Sequence, residues 1–590
     1  MRVDFIIIFR KINMKKILLS CIFASAYYIV VADVNIKFDD YCKEGDNGFD
    51  AMAKIIEIAR SKNGEPVLVE FSNKTYDFKK APEHSWFFPI VGVENLTIDG
   101  KGAKLMIDPF NAYCTINNCK NVTLKNFEFV HNRLAFTQGD IVEVTPEYFV
   151  FKLDDGYPEF PSHEFVMKNY PGPQWMWGSF MDREARTLKY GYPDHIFAAK
   201  IEPADKPRHY KFYPQKLYTH ILKNIHPPVA FVMPIHQDPN KSWRNNHGPY
   251  TIGIAGSSDI LIENITARAT RHAGWSGVNN EGKITFKNCV VTWRENSSDL
   301  ISSWRDGSHF KNNKIGPAFI GCKWEGLLDD SINIGANPTM ILEDMGDSTY
   351  RIREGSLKKG CPIAILNPKN GQWLEGKEWF VEDISGNVVK LSKPIPDLVL
   401  YQNLTDYERT SGRGGINMAA TEIFNMDYVG AGYVVRDCKF GKQRRYSMII
   451  RAPNGTIEDN KIYGGTGIHL SNEIGGWYEG PLPRNTKVRG NTFENTWGPC
   501  PLVVSVGIFP NIKFGLPYGI SIIDNTFKLT MPENKYAISI YNGSDFTIKR
   551  NKYFNALDEL IPESEAVHIS DFVENVKMKS KTPEANNEKK

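Results

Sequence analysis

The chain has 590 residues, 42% of them hydrophobic and 12% aromatic, enough for an extended core with side modules and too apolar for a disordered or fibrous protein. Its 71 basic and 68 acidic residues leave a net charge of +3, and no basic stripe is interleaved with aromatics, so nucleic acid is not an expected partner. From the N-terminus, Met14-Lys15-Lys16-Ile17-Leu18-Leu19 and the apolar run to Val31-Ala32 have the n-region and h-region of a secretory signal. Residues 1–32 are therefore read as a removed signal with its true start at Met14, and the mature protein as exported to the periplasm or beyond. Cys21 faintly suggests a lipoprotein site, but most of the apolar run follows it, which favours simple export. No other stretch is long and apolar enough to span a membrane. Removal of the signal leaves eight cysteines in no metal-binding CxxC spacing. Cys289, Cys322 and Cys438 each follow a turn position and read as buried core thiols.

Beyond the signal, short segments of apolar–polar alternation end repeatedly in Asn or Asp. Leu96-Thr97-Ile98-Asp99, Val122 to Asn126, Leu261 to Asn264, Ile284 to Asn288, Val434 to Asp437, Ile457 to Asn460, Val488 to Asn491, Ile522 to Asn525 and Ile548 to Asn551 all fit. Successive anchors stand 27, 24, 23, 31, 34 and 26 residues apart within the unbroken runs. Period-2 alternation predicts strands with one buried face, and a repeat of this length predicts a β-solenoid. An Asn at each turn can take the left-handed conformation and hydrogen-bond its stacked neighbour. The fold expected is all-β, a parallel β-helix with two inserted β-rich modules. A β-sandwich or propeller is disfavoured by irregular coil lengths and missing hairpin dipeptides.

The boundaries read as coils over 33–130, an insertion over 131–248, coils over 249–337, a barrel-like insertion over 338–425, coils over 426–572 and a disordered tail over 573–590. The first insertion is rich in Tyr, Trp, Pro and His and includes Trp175-Met176-Trp177, read as module core. The second carries the strand-like runs Pro362 to Leu366, Trp379 to Val381 and Val388 to Leu391. It leaves the chain directly after Asn333-Ile334-Gly335, so it is expected to overhang whatever that coil presents.

That coil carries the chemistry. Asp306 precedes Asp329 by 23 residues and Asp330 by 24, one coil apart in a parallel β-helix. Rungs are about 4.8 Å apart, so the acids can share one wall where the strand bends to bring both Asp329 and Asp330 to the cleft. A lone acid facing an acid pair suits glycoside hydrolysis, in which one carboxyl protonates the leaving oxygen and another activates water. Carboxyl separations of roughly 6.5–9.5 Å, the inverting range, are within reach. Crowded like charges would keep at least one carboxyl protonated near neutral pH. His309 and Asn333 lie beside the acids and are read as sugar-binding. A second cluster, His469, Glu473, Trp477 and Glu479, could stack on and hydrogen-bond a pyranose, or merely close a solenoid turn. Trp275 and Trp304 are weaker stacking candidates. No metal and no cofactor is expected.

Cys322-Lys-Trp-Glu-Gly326-Leu-Leu-Asp-Asp330-Ser-Ile-Asn333, with Asp306-Gly-Ser-His-Phe310 before it and Trp477-Tyr-Glu-Gly480 after it, resembles glycoside hydrolase family 110. The resemblance covers most of the mature chain. It implies a right-handed parallel β-helix and an exo-acting, inverting α-1,3-galactosidase, with Asp306 as general acid and Asp329 and Asp330 positioning and activating water. The partner it implies is an oligosaccharide or polysaccharide, and a homodimer is left open. Two departures stand out: Asn333-Ile334-Gly335-Ala336 where the family pattern reads Asn-Val-His-Gly, and Glu479-Gly480-Pro481 where it reads Glu-Ser-Gly. Two other classes stay open. A pectin-type hydrolase, sulfated-galactan hydrolase or lyase is one, the lyase kept open by Arg294, Arg305 and Arg451. A non-catalytic glycan-binding solenoid is the other.

Overall fold

The computed structural model describes residues 34–79, 86–109, 112–160, 176–235, 250–353, 355–367, 372–400, 420–472, 479–506 and 518–579. The export signal, Trp175, Glu473, Trp477 and the last eleven residues lie outside them. The described residues are all-β apart from short helices, and the strands sort into four sheets. Two sheets, of 21 and 11 strands, are built wholly from parallel pairs and form the β-helix. Each coil gives two strand positions to the larger sheet and one to the smaller. The smaller sheet runs Trp86–Val91, Tyr113–Asn117, Ile252–Ala255, Trp275–Val278, Ser308–Lys311, Ile332–Gly335, Met448–Ile450, Ile468–Asn472, Leu502–Val506, Ile538–Ile540 and Val567–Ile569.

Period-2 patterning decides which side chains fill the coil. In Ser308–Lys311, Ser308 and Phe310 face inward, and His309 and Lys311 face out. Inside, aromatic rings stack from rung to rung: Trp275 on Phe286 at 5.6 Å, Phe286 on Phe319 at 5.4 Å, and Trp324 on Phe440 at 5.0 Å.

Both insertions fold as seven-stranded antiparallel sheets, over Phe136–Pro234 and Thr339–Asn425. Each has its own core: Phe149, Phe180, Phe212 and Phe231 in the first, and Ile341, Ile365, Val381 and Ile423 in the second. Met176 joins the core of the first module.

Two expectations need correction. Residues Gly48–Ser61 form an α-helix, where only coils were expected. Asn47 caps it by accepting from Phe49 N, and Met52, Ile55, Ile56 and Ala59 bury one face at helical spacing. The C-terminal segment is ordered further than its composition suggests. Val573–Lys579 pairs in parallel with Gly543–Lys549, because the last coil offers an open strand edge.

The turn residues divide into two kinds. Asn126, Asn264 and Asn288 take positive φ and also hydrogen-bond up the stack, Asn264 Nδ2 to Asn126 Oδ1 at 2.9 Å and Asn288 Nδ2 to Asn264 Oδ1 at 3.2 Å. In the C-terminal coils the two jobs separate. Asp459, Gly490, Asp524 and Arg550 carry the positive φ, and the Asn that follows turns inward. Asn460 donates to Asn491 at 2.9 Å, Asn491 to Asn525 at 3.0 Å and Asn525 to Asn551 at 3.0 Å. Cys289, Cys322 and Cys438 hold the equivalent position in earlier coils, all buried and unbridged.

The distinction is measurable. Asn288→Gly keeps the turn conformation and should change stability by only a few tenths of a kcal/mol. Asn491→Ala leaves buried partners unmatched on both neighbouring rungs and should cost about 2–4 kcal/mol in urea unfolding. Equal costs for the two variants would refute the two-kind reading.

Candidate active site

Asp306, Asp329 and Asp330 lie in the turns that feed the Ser308–Lys311 and Ile332–Gly335 strands. The register pairs Ser308 with Ile332 and His309 with Asn333, and Gly307 N donates to Asp330 O at 2.7 Å. One oxygen from each carboxyl lies within 4.8 Å of the others. Gly307 makes the approach possible, since a Cβ there would stand 2.2 Å from the Trp324 ring and 2.7 Å from Ser331 O.

The three acids sit in different surroundings. Burial pushes Asp306 well above the ordinary carboxylate range, and the charges of Asp329 and Asp330 push it further. Asp329 faces cations: Arg305 Nη1 at 3.3 Å and Arg444 Nη2 at 3.9 Å. Asp330 accepts from Tyr446 N at 3.1 Å. The arrangement sets one carboxyl pushed toward its protonated form beside two acids that accept from N–H donors, a combination suited to proton transfer between a leaving oxygen and a water.

Beside them the outward column of the smaller sheet makes a second polar group. Asn333 Oδ1 accepts from Lys311 Nζ at 2.5 Å and Arg451 Nη1 at 2.9 Å. Glu479 bridges the same cations, at 2.9 Å from Lys311 and 2.8 Å from Arg451, and lies 3.6 Å from His309 Nε2. Burial alone would raise Glu479, but Lys311 and Arg451 hold it well below the usual range. Burial lowers Lys311, against the pull of Glu479. It also lowers His309, whose Nδ1 is 3.3 Å from Tyr250 Oη. His469, its ring tilted against Tyr446 at 4.0 Å, is lowered to about 3 by burial and by Arg445 and Arg451, which favours its neutral form.

Glu479 is delivered by a strap that bonds the solenoid edge, Ala336 N to Gly480 O at 2.7 Å and Gly480 N to Ala336 O at 2.9 Å. Gly335 permits this, since a Cβ there would stand 2.7 Å from Gly480 O and 3.2 Å from Arg451 Cβ. The two departures from the family pattern therefore touch each other. The second module backs the strap: Phe424 packs against Gly480, and Glu375 pairs with Arg484 at 2.6 Å.

The structure brings Asp306, Asp329, Asp330, His309, Asn333, His469 and Glu479 to this one face. It does not bring the two tryptophans there as sugar platforms. Trp275 is fully buried in the aromatic stack of the coil, because its position in the strand alternation points inward. Trp304 is 1% exposed, donates to Arg271 O at 2.7 Å, and offers its ring to Arg305 at 4.6 Å. It also packs edge-on against His272, which in turn meets Tyr250. Arg294, one of the residues that kept a lyase open, is occupied by buried Asp299 at 2.7 Å.

Sequence reasoning missed Lys311, Tyr250 and the Arg444-Arg445-Tyr446 turn. Lys311 is two residues after His309 and so shares its face. The arginine turn occupies the rung after Asp329-Asp330, a relation hidden by the insertion between them.

No family model matches the chain. The chain is similar to curated proteins named alpha-1,3-galactosidase. Alpha-1,3-galactosidase B of Bacteroides thetaiotaomicron is 23% identical over 501 residues, covering 77% of this chain and 73% of the relative. The protein of the same name from Phocaeicola vulgatus is 23% identical, covering 75% and 76%. Alpha-1,3-galactosidase A of Shewanella woodyi is 20% identical, covering 76% and 74%. Among solved structures, the A-module of an Azotobacter vinelandii mannuronan C-5 epimerase aligns over 92% of this chain and 100% of its own, at 9% identity and a TM-score of 0.39. A family 87 α-1,3-glucanase from Streptomyces thermodiastaticus covers 92% and 68%, at 10% identity and 0.38. The β-helix assignment rests on strand register and not on these two likenesses.

Asp306 gives a test that needs no substrate. Its pKa in the folded protein lies above the unfolded value of 3.8, so the fold favours the protonated form. That contribution is complete below about pH 4 and is lost as pH rises through the folded pKa. Asp306→Asn should therefore match the wild type in melting temperature near pH 4 and exceed it at pH 7–8. A variant less stable than wild type at pH 8 would refute the burial and crowding described here.

Proposed function

We propose that the chain is an exported glycoside hydrolase of family 110 that removes terminal α-1,3-linked galactose with inversion. The observation that carries the reading is the trio of carboxyls, of which Asp306 is pushed toward its protonated form while Asp329 faces Arg305 and Arg444. The names of relatives matched over about three quarters of the chain supply the substrate class. Asp306 donates its proton to the glycosidic oxygen as the bond to the anomeric carbon breaks. Asp329 and Asp330 orient a water and take its proton as its oxygen bonds to the opposite face, which releases β-galactose. His309, Lys311, Asn333, Arg451 and Glu479 supply donors and acceptors for sugar hydroxyls. Such a site strongly rejects a sugar that leaves its buried groups unpaired. The right hand of the coil follows the general rule for parallel crossovers.

The close approach of the carboxyl oxygens favours one second reading. Retaining enzymes carry carboxyls about 5–5.5 Å apart and inverting enzymes roughly 6.5–9.5 Å apart, so double displacement with Asp329 or Asp330 as nucleophile is the alternative.

Proton NMR of the anomeric signals during digestion of an α-1,3-galactosyl disaccharide tests both. β-Galactose should appear first with wild type, and α-galactose first would establish retention. Asp306→Asn and Asp329→Asn should each lower kcat by about 10²–10⁴-fold. No turnover of any α-galactoside, or a product with ultraviolet absorbance from uronates, would overturn the substrate class.

A further inference from the structure

Arg444 links the first inserted module to the acid trio. Its guanidinium is buried and faces three groups at once. Nε donates to Leu328 O at 2.6 Å, the carbonyl immediately before Asp329. Nη2 lies 3.9 Å from Asp329 Oδ1. Nη1 donates to Asp194 Oδ2 at 2.8 Å and lies 3.2 Å from His195 Nδ1. Asp194 and His195 belong to the module, as does Trp177, whose ring sits 5.2 Å from Arg444 Cζ. Asp194 is itself fixed: its other oxygen is 2.7 Å from His195 Nδ1, and its carbonyl accepts from Ser179 Oγ at 2.8 Å. The guanidinium is planar and presents its donors in a rigid fork, so setting one edge on Asp194 sets the direction of the other. The edge left over points at Asp329.

We infer that Arg444 is a positioning residue for Asp329, and that Asp194 of the inserted module aims it, so that the module completes the catalytic machinery. The inference rests on the proposed function in assigning Asp329 to water activation. Removing the Asp194 carboxylate frees the fork to turn away, and the carboxylate it orients moves with it. A reacting group misplaced by about 1 Å costs on the order of 10²-fold in rate. The loss falls on the chemical step, because neither Arg444 nor Asp194 is among the side chains that read sugar hydroxyls.

The experiment uses the full chain with Asp194→Asn, Arg444→Lys and Arg444→Met, and Glu184→Gln as a control on the same module. On the α-galactoside that wild type hydrolyses, Arg444→Met should lower kcat by about 100-fold and Asp194→Asn by about tenfold, each with KM within about twofold of wild type. Arg444→Lys should not recover the rate, since a point charge cannot replace the fork. Amide hydrogen exchange in the 327–331 peptide should rise in Asp194→Asn and stay unchanged in Glu184→Gln. Asp194→Asn is isosteric and guards against simple misfolding of the Arg444 variants. Unchanged kcat and unchanged exchange in Asp194→Asn would overturn the inference. If wild type cleaves no α-galactoside, the proposed function falls, and the exchange arm decides the latch: unchanged protection at 327–331 in both Asp194→Asn and Arg444→Met overturns it.

Discussion

Parallel pairing of one strand on the next, in register, is the constraint from which the rest follows. Ser308–Lys311 lies on Ile332–Gly335, so His309 stacks on Asn333 and the turn holding Asp306 lies on the turn holding Asp330. The register is fixed from within. A slip of one residue would turn Phe310 and Ile334 to solvent and bring His309 and Asn333 into the aromatic stack. The Asn ladder adds a second lock, since each amide finds its partner only when its own rung and the next are aligned. Carboxyl crowding, which would be an accident in most folds, is here a by-product of periodicity.

Crowding charges on a half-buried wall destabilises unless each charge is matched or discharged. The site uses both routes. Asp306 is pushed toward its protonated form by burial and its neighbours, while Glu479 is held low by Lys311 and Arg451 and Asp329 pairs with Arg305. Burial shifts His309 and His469 toward their neutral forms, which limits further positive charge on this face. The acid trio and the Glu479 group sense each other, since Glu479 is among the charges that raise Asp306. Proton placement at Asp306 is thereby tied to the charge of the Glu479 group.

Much of this was legible in the sequence, for reasons that particular residues show. The spacing of Asp306, Asp329 and Asp330 carried through because coil length is a local property and no insertion falls between them. An indole reads alike in a core and in a cleft: strand parity decides for Trp275, while Trp304 lies in a turn whose ring direction no local period shows. The helix at Gly48–Ser61 had both its cap and its period in plain view, and the dominance of the strand repeat obscured them. Arg444 could not be placed, since the second insertion lies between it and the aspartate it faces. Lys311 was within reach, two residues from a side chain already singled out.

Each insertion closes on itself where it leaves the solenoid. The strand that ends at His131 and the residue that reopens the coil, Thr251, meet side chain to side chain at 3.1 Å. The first and last strands of the second module pair with each other, Thr339 with Ile423 and Met340 with Glu422. Each module then packs back onto the rod, the first through Leu134, Phe136 and Trp177 in one cluster with Leu300, Ile301 and Leu328, the second through Met340 and Phe424 in the solenoid core. The acids are thus held by the rungs, while part of the wall beside them, Asp194 and Trp177 against Arg444, comes from a segment that leaves the rod and rejoins it.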